Sequence, residues 1–433
     1  MNEPHPIGAS PDAPLAWWPA LRDLPWDVDL IEWPPDSVID LPRGQHRHVV
    51  RFVDASGRGF SGAVALKELD DELVARELAM LSFLSSHGLP AVRPVGAVVS
   101  RGASSDGRPL APVLITEHLP YAMPLRNLFS GAPVRPDLHE RLVDALAVLL
   151  VRLHLVGFYW GDCSLSNALF RRDAGDLSAC LVDAETAVVH EVLSSGQRSM
   201  DLMIACENVG FGLADLAAAG RLRLDDVGAV ALVDRLSVRY EQLWGEVTRA
   251  ERLRSGELWR FHDRVRRLNE LGFDVREVEI AGSSAGAAHW RPAVIEAGHH
   301  ARQLRRMVGI EAEENQARRL LSDLWGYGSG LSSTVGRWLP EAVQAYRWLV
   351  ERWEPALAAV PLALRGRLSD AELYHQVLDH LWLKSEAAGR DIGIVAAVES
   401  FVAEVLVKLP DESAPAAAPA APASSTAPSV NVH

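Results

Sequence analysis

Residues Arg152–Glu185 read RLHLVGFYWGDCSLSNALFRRDAGDLSACLVDAE, and the fold is decided here. An apolar run, Ala145 to Val151, leads in at helical spacing and ends at His154 and Gly157. Gly161-Asp162 follows, and five residues after that Asp stands Asn167. The apolar triplet Ala168-Leu169-Phe170, the polar turn RRDAGD and a second apolar run, Ala179 to Val182, read as a hairpin that delivers Asp183. Two carboxylates and a carboxamide thus stand at the ends of two short strands.

Phosphoryl transfer from a nucleotide needs such a set. One carboxylate orients an acceptor hydroxyl and takes its proton, while a second, with a carboxamide oxygen, holds Mg²⁺ on the phosphates. Asp and Asn suit Mg²⁺ because they offer hard oxygens on short stems. In that scheme Asp162 is the base, and Asn167 and Asp183 are the metal ligands. The stretch resembles the catalytic and metal-binding loops of the protein-kinase-like superfamily. It looks most like the lipopolysaccharide-core and small-molecule kinases, which read H-x-x-G-(x)-x-H-G-D-x-x-x-x-N and then Asp-x-Glu/Asp. Over its full length the chain is similar to a bacterial family in which such a kinase half carries a domain of unknown function, number 4032.

Outward from the loop, Lys67 closes a strand in the context Val64-Ala65-Leu66-Lys67. This resembles the superfamily's V-A-I-K, whose Lys pairs with the nucleotide phosphates. The helix that follows, Asp70 to Ser86, offers Glu72 and Glu77 as partners, and Arg76-Glu77-Leu78 favours Glu77. The phosphate loop departs most from the pattern: in place of G-x-G-x-x-G there is one glycine, Gly44, flanked by Arg43, His46 and Arg47. Gly44 serves either a backbone phosphate cradle or a plain hairpin turn. Val113 to Leu119 reads as a strand entering a hinge, where main-chain groups of Glu117 to Leu119 would take an adenine. A long amphipathic helix is expected from Pro136 to Gly157.

Further departures bear on the substrate. Trp160 replaces the His or Arg that commonly precedes the Gly-Asp, and Ser164 stands where Ser/Thr protein kinases keep a Lys. Asp183-Ala184-Glu185 replaces Asp-Phe-Gly, and no Ala-Pro-Glu follows. The resemblance therefore implies a small-molecule or glycan acceptor, not a regulated protein kinase. Asp201 has two readings, a buried brace for the catalytic loop or a helix N-cap.

The totals set the class. With 433 residues, 48% apolar and 23% charged, the chain has the composition of a globular protein with room for two or three domains. A net charge of −14 argues against nucleic acid as partner. The start shows no basic and apolar signal segment, and no apolar tract is long enough to span a bilayer. Cys163, Cys180 and Cys206 show no pairing or C-x-x-C pattern and read as reduced thiols of a cytoplasmic protein.

The ends and the C-terminal part are read more coarsely. Residues 1–14 and 410–433 are Pro- and small-residue-rich and expected to be disordered. Residues 15–36 carry Trp17, Trp18, Trp26 and Trp33, an aromatic lead-in expected to pack on the first lobe. Past Gly272, VREVEI and HWRPAVIEA read as strands joined by SSAG. The basic run His299 to Arg306 reads either as a grip for an anionic substrate or as a solvated face paired with Glu311, Glu313 and Glu314. Trp338, Trp348, Trp353 and Trp382 stand at helical spacing and read as core.

The expected architecture is α+β: a two-lobed protein-kinase-like fold (residues 15–119 and 120–271), then a mostly helical C-terminal domain (272–409). The expected function is an ATP- and Mg²⁺-dependent phosphotransferase acting on a hydroxyl. Two alternatives stand beside it, a pseudokinase scaffold or regulatory binding protein and a transfer of AMP on the same fold.

Overall fold

In the computed structural model, the structure describes residues 4–9, 15–39, 48–56, 60, 62–123, 137–220, 226–249, 251–254, 258–282 and 287–411. Its first part contains β1 (His5–Gly8), α1 (Trp18–Leu21), β2 (Val50–Asp54), β3 (Ala63–Glu68), α2 (Asp71–Ser86), β4 (Pro94–Val99) and β5 (Val113–Glu117). The five strands make one antiparallel sheet in the order β1-β4-β5-β3-β2.

Within the stretch 1–14, expected to be disordered, His5–Gly8 forms strand β1. His5–Gly8 pairs with β4, from His5 opposite Val99 to Gly8 opposite Gly96. Without it, β4 would present a row of unpaired main-chain groups at the sheet edge. The aromatic lead-in behaves as expected: Trp17, Trp26 and Trp33 are buried against Val53, Val64, Val98 and Ile115 on one face of the sheet. Ahead of β2, an isolated antiparallel bridge joins Ile39 to Phe52. Gly44 lies outside the described residues.

Helix α2 packs on the other face of the sheet through Val74, Leu78, Leu81 and Leu84. Glu77 falls on that same buried stripe, three residues after Val74. A carboxylate set in an apolar stripe needs a cationic partner, and Lys67 on β3 supplies it.

The second part contains α3 (Leu138–Leu155), β6 (Phe158–Tyr159), β7 (Ala168–Asp173), β8 (Asp176–Leu181), β9 (Val188–Val189), α4 (Ser195–Ala218) and α5 (Asp226–Thr248). Ten residues of α3 are buried, so it forms the centre of a helical lobe. Strands β7 and β8 form the expected hairpin, Ala168 opposite Leu181 and Asp173 opposite Asp176. Its turn, Ala174-Gly175, has φ of 51° and 91°. Two left-handed residues in a two-residue loop match the twist of the strands they join.

The third part holds a sheet of β10 (Glu251–Arg254), β12 (Ala287–Ala297) and β11 (Phe273–Gly282), in that order, with α6 (Leu258–Glu270) between β10 and β11 in the chain. Helices α7 (His299–Val308), α8 (Glu314–Val335), α9 (Glu341–Trp348), α10 (Glu354–Ala358), α11 (Asp370–Ala388) and α12 (Ile394–Glu404) follow. They enclose a separate core around Leu320, Leu324, Trp348, Trp353, Tyr374 and Phe401. Trp348 and Trp353 are core as expected, but Trp338 and Trp382 are 71% and 62% exposed. Trp338 sits in the connection between α8 and α9, and the buried residues of α11 end at His380, two residues before Trp382. The basic run meets its acidic neighbours: His300 Nδ1 lies 2.7 Å from Glu314 and Arg305 3.9 Å from Glu311. These pairings support the reading of a charge-compensated face.

The tip of the β7–β8 hairpin docks onto this third part. The Gln316 backbone amide donates to Asp173 at 2.8 Å, and its side-chain amide donates to Arg172 O at 2.7 Å and to Glu372 at 2.8 Å. Glu372 also accepts from the Ala174 amide at 3.1 Å, and Arg171 pairs with Glu313 at 3.1 Å. Burial, with the Glu313 charge adding to it, pushes the Asp173 carboxyl up to about 7.

Candidate active site

The catalytic loop is shaped first by its glycines. Gly157 and Gly161 adopt φ of 76° and 77°, and a side chain at Gly157 would collide with the His190 carbonyl. Between them β6 pairs with β9, which brings the Asp162 loop beside the segment after Asp183. Asp201, buried inside α4, accepts from the Trp160 and Gly161 amides, both at 2.8 Å, and faces His154 Nε2 at 3.0 Å. His154 Nδ1 in turn lies 2.7 Å from the Tyr240 hydroxyl. Asp201 is therefore the brace; the N-cap of α4 is Ser194. A buried carboxylate survives here because each of its oxygens is occupied by donors.

Asp162 and Asn167 meet at the open side of this loop. Asn167 Nδ2 donates to the Asp162 carboxylate at 2.8 Å and to its backbone carbonyl at 3.1 Å. With its amide nitrogen so used, Asn167 keeps its Oδ1 as an acceptor. The hydroxyl of Ser164 accepts from the Asn167 amide at 3.2 Å, so it shapes the turn where a Lys stands in Ser/Thr protein kinases. Burial raises the Asp162 carboxyl above its ordinary range, opposed by the Asn167 hydrogen bond and reinforced by the charges of Asp183 and Glu185.

Asn167 and Asp183 are neighbours through the hairpin, since the Val182 amide donates to Asn167 O at 3.0 Å. Lys67 Nζ lies 2.9 Å from Glu77 Oε2 and 2.8 Å from Asp183 Oδ2. Glu72, the other candidate partner, is exposed. Burial alone would lower the Lys67 ammonium, but Glu77 and Asp183 outweigh it and hold it above its ordinary range. Burial, with Asp183 nearby, pushes the Glu77 carboxyl up to about 7 despite Lys67. Carboxylate oxygens of Glu77, Asp183 and Glu185 lie within 4.8 Å of one another. After β5, the Glu117 and His118 amides donate to Arg93 O and Ala63 O at 2.9 and 3.0 Å.

Two residues at the site carry no local signal in the sequence. His48, at the entry to β2, places Nε2 3.0 Å from Glu185. Asn208 Nδ2 donates to Asp162 Oδ1 at 3.0 Å. Asn208 stands seven residues after Asp201, on the same face of α4 two turns apart.

This is the two-lobed α+β architecture of the protein-kinase-like fold, followed by a mostly helical C-terminal part. Residues 61–203 match the lipopolysaccharide kinase (Kdo/WaaP) family, and residues 242–406 match a domain of unknown function, DUF4032. The two matches follow one another along the chain, and neither covers half of it. A solved structure titled "WaaP in complex with acyl carrier protein" is similar to 46% of this chain and 90% of its own, at 20% identity and a TM-score of 0.29. At that score the likeness decides nothing about partners. No curated protein matches the chain. Among the described residues, no helix is long and apolar enough to cross a membrane.

Proposed function

We propose that the protein transfers the γ-phosphoryl group of Mg·ATP to a hydroxyl of a small molecule or glycan. The kinase-like phosphotransferase class follows from the family match; the nucleotide, the metal and the acceptor class are our reading. One observation carries it: Lys67 is joined to both Glu77 and Asp183 within 3 Å, beside an Asp162 paired with Asn167.

In this reading Lys67 binds the phosphates and Glu77 holds it in place. Asp162 accepts the proton of the acceptor hydroxyl, which strengthens the nucleophile as it attacks. The raised carboxyl of Asp162 suits a base that must be charged near neutral pH and still bind a proton in the transition state. Leu119 offers its main chain to the base of the nucleotide, and Gly44 belongs to the phosphate loop. Asp183 stands within a cluster of carboxylate oxygens with Glu77 and Glu185, and in this reading Asp183 and Asn167 supply the hard oxygen ligands that a divalent cation takes. Such a cation, when bound, supplies charge neutralisation on the phosphates. Cys163, Cys180 and Cys206 are free thiols, which suits a cytoplasmic setting.

The test is transfer from radiolabelled Mg·ATP into a panel of sugars, lipid-core glycans and other polyols. Asp162→Ala and Asp183→Ala should each abolish transfer; retention of activity in both would sink the assignment. The mass added to the product separates a phosphoryl from an AMP transfer.

A further inference from the structure

We infer that Asn208 is a positioning residue for Asp162, fixing the carboxylate in the orientation from which it receives the acceptor proton. The inference rests on the reading of Asp162 as the base. The two carboxylate oxygens of Asp162 are held separately: Asn167 Nδ2 donates to Oδ2 at 2.8 Å and Asn208 Nδ2 to Oδ1 at 3.0 Å. A carboxylate accepts only, so the opposite amide orientation of Asn208 would set one oxygen against another.

The two amides arrive from different parts of the fold. Asn167 belongs to the same loop as Asp162 and moves with it. Asn208 stands on α4, a helix anchored in the core through Leu202, Ala205, Val209 and Leu213. Asp201, two turns earlier on that helix, clamps the loop backbone at Trp160 and Gly161. One rigid helix therefore fixes the loop twice, its backbone through Asp201 and its reactive side chain through Asn208. The second contact has a distinct effect, because rotation about the Cβ–Cγ bond of an aspartate is broad and soft. Held by one donor from its own loop, the carboxylate would sample orientations that turn its lone pairs from the acceptor. Held by two, it keeps the productive one, and alignment of this kind is worth much of a catalytic advantage. Asn208 lies on the acceptor side of the site. The nucleotide side is formed by Lys67, Glu77 and Asp183, so loss of Asn208 should appear in turnover and not in nucleotide binding.

The experiment follows phosphate release from Mg·ATP, with water as acceptor, for wild type, Asn208→Ala, Asn208→Asp and Asp162→Ala. The expected result is a fall in kcat of about tenfold or more for Asn208→Ala, with the KM for Mg·ATP changed by less than about twofold and Tm held within about 2 °C. Asn208→Asp keeps the size of the side chain but replaces the donor with a second acceptor, and should lose at least as much turnover. A role in packing predicts the reverse, with Asn208→Asp active and Asn208→Ala impaired together with its Tm; that pattern overturns the inference. So does wild-type kcat in either variant, or a loss confined to KM. If Asp162→Ala is inactive while both Asn208 variants turn over normally, this inference alone fails. If Asp162→Ala itself turns over normally, or wild type releases no phosphate, the reading of the base fails and this inference with it.

Discussion

Trp160 donates its indole N–H to the backbone carbonyl of Asp183 at 2.9 Å, and the ring is fully buried. The loop that carries Asp162 and the loop that carries Asp183 are thereby fastened to each other. The Thr186 hydroxyl adds a second tie, donating to Trp160 O at 2.8 Å. The residue that departs from the family pattern in sequence thus has a structural task of its own. It ties the loop of Asp183 to the loop of Asp162.

Trp160→Phe keeps an aromatic ring in the pocket and removes the donor, leaving the Asp183 carbonyl without its indole partner. Loss of one partner from a buried pair costs about 1–3 kcal/mol. The variant should unfold at lower urea and bind Mg·ATP more weakly, measured by denaturation and calorimetry. Unchanged binding would mean that Asp183 is held by other contacts.

Asp201→Ala removes the acceptor for two buried amides and the partner of His154. Breaking a buried, multiply bonded carboxylate typically costs about 3–5 kcal/mol. The urea midpoint should fall with little change in slope. Hydrogen exchange at the Trp160 and Gly161 amides should quicken more than at the amides of α3.

Asp173 makes a pH prediction with a definite sign. Its folded carboxyl, at about 7, lies above the ordinary value of 3.8, so the native state binds the proton more tightly than the unfolded chain. Its contribution to stability is therefore full below about pH 4 and is lost as pH rises towards and through 7. Asp173→Asn keeps an acceptor for the Gln316 amide and removes the charge. Tm measured from pH 5 to about 8.5 should show wild type falling relative to the variant as pH rises. Parallel curves would contradict the burial of this carboxyl against the C-terminal helices.

Gln316→Ala tests what those helices do for the site. Gln316 bonds Arg172 O and Asp173, at the tip of the hairpin whose other end carries Asn167 and Asp183, and Glu372 on α11. Leaving Glu372 and the Arg172 carbonyl short of a partner should cost about 1–3 kcal/mol of stability. Affinity for Mg·ATP should also fall, because the hairpin that presents two site residues loses its anchor. A variant that is less stable but binds nucleotide normally would show that the hairpin holds its own geometry.

The parts of the site that were legible in the sequence are local ones. Asp162 and Asn167 share one loop, and Asp183 follows from the same hairpin, so their spacing carries their geometry. Lys67 and Glu77 were legible because a strand-end lysine in Val64-Ala65-Leu66-Lys67 preceded a helix carrying Arg76-Glu77-Leu78. Asn208 and His48 were not, since they reach Asp162 and Glu185 across 46 and 137 residues of chain. The pairing of His5–Gly8 with β4 is equally non-local; a short polar segment says nothing of the edge that awaits it. Trp338 and Trp382 failed for a different reason. Helical spacing marks an apolar face, but whether a neighbour covers it depends on where the core ends.

The central claim is that Lys67, Asn167 and Asp183 form a working site for a metal-bound nucleotide. The most direct test is a thermal-shift titration of the full chain with ATP, with and without Mg²⁺, beside Asp183→Asn. At about 100-fold above the dissociation constant, binding should add roughly 2.7 kcal/mol to the folded state. The account predicts a shift in Tm that requires Mg²⁺ and is lost in Asp183→Asn. A wild-type protein that shows no shift with any nucleotide, or a shift that Asp183→Asn retains in full, would contradict it.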